Sequence, residues 1–356
     1  MRKRTSVIDL TTGNEMKSIV LFALPLIAGN LFQQLYNLMD TMIVGKFIGA
    51  DALAAVGSSY MTMNFLTSIV IGLCMGSGIV FSWFYGSKQP EKLEKSMFQA
   101  FVFIFGVMVV ITGVSLLCIN PLLHLLNIEQ SIFQMTKEYL FIIICGMGFV
   151  FFYNYFTAVL RSMGNSFTPL IFLIVSSVLN IILDYVFVVP FQMGVGGAAY
   201  ATIIAQGVSA AGITVYTLWK VPEVKISKRM LKRDRELFRM IVNQSLLTSV
   251  QQSIMNLGIL MVQGLVNSFG VTVMAGFAAA VKIDSFAYMP VQDFGNAFST
   301  YVAQNQGAGK RDRIEKGKRS ALKLIVISCA VISTLVVLFA RNLMLLFINV
   351  SETQVI

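Results

Sequence analysis

Charge is scarce in this chain. Of its 356 residues 12% are Asp, Glu, Lys or Arg, where a soluble domain carries about 25%, and 56% are hydrophobic. A soluble globular domain is therefore excluded. There is a single histidine, His124, in a connecting segment, and four cysteines, Cys74, Cys118, Cys145 and Cys329, lie singly in apolar segments. No metal or redox spacing appears among them, so they are expected to be small buried packing residues. Nucleophile motifs, phosphate loops and nucleotide-binding segments are missing too. An intramembrane enzyme would lack its parts, no cofactor is expected, and a pump built from this chain has to run on an ion gradient. No cleavable signal follows the basic start Met1–Arg4, so the first span is expected to serve as its own insertion signal.

What the chain has instead is long apolar runs. They fall at about 18–46, 52–85, 97–119, 137–160 and 170–189, then to about 219, then at 240–266, 275–304 and 322–340. Each is long enough for a bilayer-crossing helix. The expectation is an all-α integral membrane protein of about nine spans, in contact with lipid. A net charge of +10 does not point to nucleic acid, because the basic residues sit in the short connections between spans. Alternate connections hold nearly all of them, including Arg2–Arg4, Lys88–Lys95, Arg161, the stretch 220–239 and Lys310–Lys323. The N-terminus is thus expected on the cytoplasmic side of the inner (plasma) membrane. The stretch 220–239 also divides the chain into a six-span lobe (1–220), a basic linker (221–239) and a three-span partial lobe (240–356).

Sliding the chain on itself by 221 residues sets Gly49 on Gly270, Phe65 on Phe286, Gly86 on Gly307 and Lys95 on Lys316. The loop 86–95 meets the loop 307–316. Both copies start on the same side, so the repeat is parallel, with its axis along the membrane normal. The second copy ends three spans earlier than the first. The expectation is two parallel six-helix repeats, the second incomplete.

The polar residues inside the spans carry the chemistry. The first span holds Gln33, Gln34, Asn37 and Asp40. The spacing of Gln33, Asn37 and Asp40 puts them on one helical face. An aspartate in the hydrocarbon costs about 2.5–3.5 kcal/mol on insertion scales and marks a functional site by default. The competing reading is a surface anchor, since Asp40 lies close to the outer end of its span. The fifth span places Ser176, Asn180 and Asp184 on one face; the sixth has Thr202 and Gln206 one turn apart. Two carboxylates, an amide and a hydroxyl offer hard oxygen ligands for a small cation such as sodium, or a proton site. Pro25 frees a carbonyl in the first span and permits a hinge. Gln33, Gln34, Asn37, Gln206, Gln252, Lys282 and Asp284 are expected to line a substrate cavity.

Three stretches, Ala23–Gly57, Val159–Leu170 and Gln304–Lys316, resemble the multidrug and toxic compound extrusion (MATE) family, and the resemblance extends over essentially the whole chain. It implies two six-helix lobes around a V-shaped cavity, and export of drugs or organic cations in exchange for inward sodium or protons by a monomer. Asp40, Asn180, Asp184 and Thr202 resemble the N-lobe cation or proton site of the DinF-like branch, with Tyr139 nearby and a first span hinged near its proline, Pro25. The chain departs from the NorM-like branch in having no acid in the seventh span, where Gln251 and Gln252 stand closest, and from the family in lacking the last three spans. A lipid-linked saccharide flippase of the same fold would need several cavity Arg or Lys, and Lys282 alone is in view. An inactive truncated fragment is the other alternative.

Overall fold

The computed structural model describes residues 7–126, 128–224, 234–267 and 271–345; across 256–286 most side chains lie outside that description. The described residues form eleven α-helices and one 3-10 turn, Pro222–Val224: α1 Glu15–Phe47, α2 Ala50–Gly86, α3 Pro90–Leu117, α4 Ile119–Leu125, α5 Gln130–Cys145, α6 Met147–Ser162, α7 Phe167–Val188, α8 Gly194–Lys220, α9 Arg235–Asn267, α10 Val271–Gly307 and α11 Arg311–Leu345. The chain is an all-helical, multi-pass membrane protein. The central part of the basic linker, 225–233, and Gly270, which the repeat sets on Gly49, lie outside the described residues.

Local chemistry sets the ends. Asn14 caps α1, its Oδ1 accepting the Lys17 N–H at 3.0 Å, and Pro90 opens α3 at its first turn, where no N–H is needed. The expected fourth span is not one helix. It is the pair α5 and α6, bent by 43° at Gly146. A Cβ at Gly146 would stand 2.5 Å from the Ile203 side chain of α8, so glycine lets α8 approach the break. Between α3 and the α5–α6 pair lies the short α4, Ile119–Leu125.

By length and apolarity, α1, α2, α3, α7, α8, residues 311–339 of α11 and the bent α5–α6 pair can cross a bilayer. Helices α9 and α10 are long enough, at 33 and 37 residues, but more polar. Their Gln244, Gln251, Gln252, Gln292 and Asn296 turn toward an internal cavity, which spares them lipid. The cysteine expectation needs correcting: Cys74 is buried, whereas Cys118, Cys145 and Cys329 are exposed. In a membrane a small apolar thiol can face lipid as readily as a packed interior.

Helix α2 is the hub, packing against α3, α5, α6, α9 and α10. Where it crosses α9 the contact is backbone-close. A Cβ on Gly72 would lie 2.5 Å from the Ser249 Cα, and one on Gly76 2.6 Å from the Ser245 Cα. Ser77 and Ser245 hydroxyls bond at 2.8 Å, and Ser249 Oγ donates to the Ile69 carbonyl at 3.2 Å. Small residues and hydroxyl bonds are how helices associate in lipid, where no hydrophobic drive separates protein from solvent.

At the end that carries the N-terminus the two lobes close on each other. Gln304 Nε2 donates to the Ser162 carbonyl at 2.7 Å, and Asn305 Nδ2 to the Leu10 carbonyl at 3.0 Å. Arg313 donates to the Gly13 carbonyl at 2.8 Å and pairs with Glu15 at 3.3 Å. The segment before α1 is thus a structural strap, with Leu10 fully buried beside Phe22, Ala297 and Tyr301. Within it, burial alone would raise the Asp9 carboxyl. Hydrogen bonds from Thr11 and Thr12 and the charge of Lys310 outweigh that and hold it below its ordinary value. The closure is also symmetric. Gly86 meets the Gln304 carbonyl, and Gly307 meets the Trp83 carbonyl; at an offset of 221 residues Gly86 corresponds to Gly307 and Trp83 to Gln304. A two-fold relation between parallel repeats generates that reciprocal contact.

Candidate ion and substrate sites

Two polar sites lie at different depths along α1. The first is built where α1 packs against α7. Phe47 and Tyr185 meet edge-on at 6.1 Å near the far end of the pair, and this register sets Asp40 beside Asp184. The two carboxylates feel each other's charge, and Tyr36 and Tyr139 lie within the field of both. Helix α8 is stitched to α7 by Ser176 Oγ donating to the Ala205 carbonyl at 2.9 Å and Ser209 Oγ to the Phe172 carbonyl at 3.1 Å. That brings Asn180 Nδ2 to Thr202 Oγ1 at 3.4 Å.

Asp184 is fully buried and Asn180 is 3% exposed. Both oxygens of Asp184, Oδ1 of Asn180, Oδ1 of Asp40 and Oε1 of Gln206 are buried with no hydrogen-bond partner in the protein. A buried acceptor without a donor is destabilising by about 1–3 kcal/mol, more when charged. Five of them on adjoining helix faces, and no cationic side chain among the described partners, make an arrangement suited to a cation or protons. The structure therefore brings together Asp40, Asn180, Asp184, Thr202 and Tyr139. Tyr36, one turn from Asp40 and beside Gln33, joins them. Sequence reasoning passed over it, although the i, i+4 spacing to Asp40 was the available signal.

The second site is a cavity of about 610 Å³ between the lobes, bounded by α1, α2, α6, α9 and α10. Its α1 wall is Phe22 and Leu26, roughly 21 to 27 Å along the helix from Asp40 at 1.5 Å per residue. Gln251 and Gln252 line it. Gln33, Gln34, Asn37 and Gln206, expected in the cavity, are not part of this wall. The first three lie on the stretch of α1 nearer Asp40, where Asn37 donates to Gln34 at 3.2 Å, and Gln206 is one turn beyond Thr202 on α8. The side chains of Lys282 and Asp284 lie outside the described residues. Arg161, counted in the sequence as a connecting-loop cation, is instead in the last turn of α6 and in the cavity wall.

Beside the cavity, Asn30 Nδ2 of α1 donates to both oxygens of Asp293 of α10, at 2.9 and 2.7 Å. Asp293 is 2% exposed. Pro25 sits one turn before Asn30 inside an otherwise continuous α1, so the bond ties the helix to the other lobe just past its missing hydrogen bond. Replacing Asn30 with alanine is expected to lower stability by about 1–3 kcal/mol, read as a lower thermal midpoint in detergent. An unchanged midpoint would show that the tie contributes nothing.

Residues 25–186 and 246–355 match the family described as MatE. The chain belongs to the MatE family. The relatives agree. The chain is 30% identical over 344 residues to the probable multidrug resistance protein YoeA of Bacillus subtilis (strain 168), covering 95% of this chain and 74% of that protein. It is 32% identical over 315 residues to the probable multidrug resistance protein YpnP of the same organism, covering 86% and 68%. The fold matches a solved MOP superfamily transporter from Pyrococcus furiosus Vc1 with a TM-score of 0.91 at 24% identity, over 99% of this chain and 78% of that one. The MatE assignment gives the reciprocal Gly86 and Gly307 contact its meaning as the meeting of two transporter lobes.

Proposed function

We propose that this MatE chain is a secondary antiporter, not an enzyme, that exports amphipathic drug-like molecules in exchange for inward sodium or protons. The observation that carries the reading is the set of buried, unpartnered acceptor oxygens at Asp40, Asn180, Asp184 and Gln206. Thr202 adds a hydroxyl, and Tyr139 and Tyr36 close the site. Sodium or a proton is the transported ion there, held by oxygens that give it back when the surrounding helices move. The substrate occupies the 610 Å³ cavity, whose mix of apolar and amide side chains suits a tolerant binder. The bias of Lys and Arg puts the N-terminus in the cytoplasm of a cell bounded by this plasma membrane. The closed end then shuts the cavity off from the cytoplasm. Ion occupancy at Asp40 biases α1 about Pro25, and the Asn30–Asp293 tie passes that movement to the second lobe. Among the described residues the ion site and the cavity are both built within a single chain, so a monomer suffices for this.

The test is efflux of fluorescent amphipathic dyes, one cationic and one anionic, from pump-deficient cells expressing the chain. Export of at least one dye is expected, lost on collapsing the ion gradients and in Asp40→Asn. Retention of both dyes by cells with the protein in their membrane would refute the reading.

A further inference from the structure

The cavity wall carries a charge that an exporter of cations does not need. Among its described lining residues there is no carboxylate, and the single charged side chain is Arg161. Its Nε is buried without a hydrogen-bond partner. The opposite charge near it is Asp293, which already accepts both bonds from Asn30 and stands outside the cavity wall. Tyr153, the other group facing Arg161, gives its hydroxyl hydrogen to the Pro169 carbonyl at 3.0 Å. Among the described residues no partner takes the Nε donor, so the guanidinium is left with bonding capacity to offer. The same cavity wall carries neutral polar groups, Asn154, Thr157 and Asn296, and apolar side chains, Phe22, Leu26 and Met75.

A planar guanidinium presenting free donors in a partly dehydrated, apolar-walled cavity is matched by a carboxylate, which it can bind through two parallel bonds. We infer that Arg161 anchors the carboxylate of an anionic amphipathic substrate, whose apolar body lies against Phe22, Leu26 and Met75. The inference rests on the export reading and names the substrate class for it. The alternative is that Arg161 serves only as a distant counter-charge for Asp293. That role predicts no dependence of ligand affinity on ligand charge.

The test is scintillation-proximity binding of tritiated 1-naphthaleneacetate and of its uncharged methyl ester to the purified full chain at pH 7, each corrected with unlabelled competitor. The acid is expected to bind about tenfold or more tighter than the ester, the size of a charge-assisted hydrogen bond. Arg161→Gln should erase that preference while leaving ester affinity in place, and Arg161→Lys should keep part of it. Asp293→Asn, which removes the competing negative charge, should widen it. Equal binding of acid and ester by the unaltered chain overturns the inference, as does equal weakening of both by Arg161→Gln. If neither ligand binds while dye export persists, the inference falls and the export reading stands; loss of export as well brings down both.

Discussion

Asp184→Asn is expected to abolish export and to make the protein more stable. The carboxylate is fully buried, and neither of its oxygens has a partner. Burying such a charge costs about 2.5–3.5 kcal/mol on insertion scales, so a neutral isostere relieves the resting fold. The same isostere can neither carry a proton nor lend a full negative charge to sodium. Ion affinity should drop about 10- to 100-fold, and gradient-driven dye efflux should fall to the background of empty cells. A raised thermal midpoint together with lost efflux is the signature of a group kept for function against stability. Because Asp40 and Asp184 sense each other's charge, Asp40→Asn added to Asp184→Asn should cost nothing further in transport. Efflux that survives Asp184→Asn would place the coupling elsewhere.

Much of this was legible from residues. The apolar runs located the long helices, because bilayer thickness dictates helix length, but the fourth run is a bent pair and α9 and α10 are more polar than the other spans. Asp40, Asn180, Asp184 and Thr202 could be grouped because an acid in an apolar run is conspicuous and helical spacing assigns its face. What escaped was whatever depends on helices meeting. Arg161 looked like a loop cation because the bend at Gly146 hides where the span ends. Asn30 lay outside the polar stripe read on α1, and packing gives it and Asp40 different partners. Asn30 turns to Asp293 on α10, and Asp40 turns to Asp184 on α7. The strap at Leu10–Gly13 had no signal in composition, since its backbone carbonyls, rather than its side chains, receive Asn305 and Arg313.

The reciprocal glycines support a prediction about the transport cycle. A methyl group on Gly307 would collide with the Trp83 carbonyl, and one on Gly86 with the Gln304 carbonyl. Both obstacles are backbone atoms of helices, which cannot rotate away as a side chain does. The strain is therefore relieved by separating the two lobes at this end rather than by local repacking. On the export reading, alternating access requires that separation in any case, so the substitution works on a difference between two functional states. Gly307→Ala is expected to shift the population toward a state open at the N-terminal end and to cut efflux strongly, while the protein stays folded. Spin labels at Lys88 and Lys310, beyond the two glycines, should report a longer inter-label distance by pulsed dipolar spectroscopy. Gly86→Ala should do the same, because the two contacts are related by the repeat. Gly106→Ala, where a Cβ meets nothing within 4 Å, should change neither distance nor efflux. If Gly307→Ala leaves the distance distribution intact, the glycines serve packing alone and the closure is held by the strap, with Arg313 as the residue to remove next.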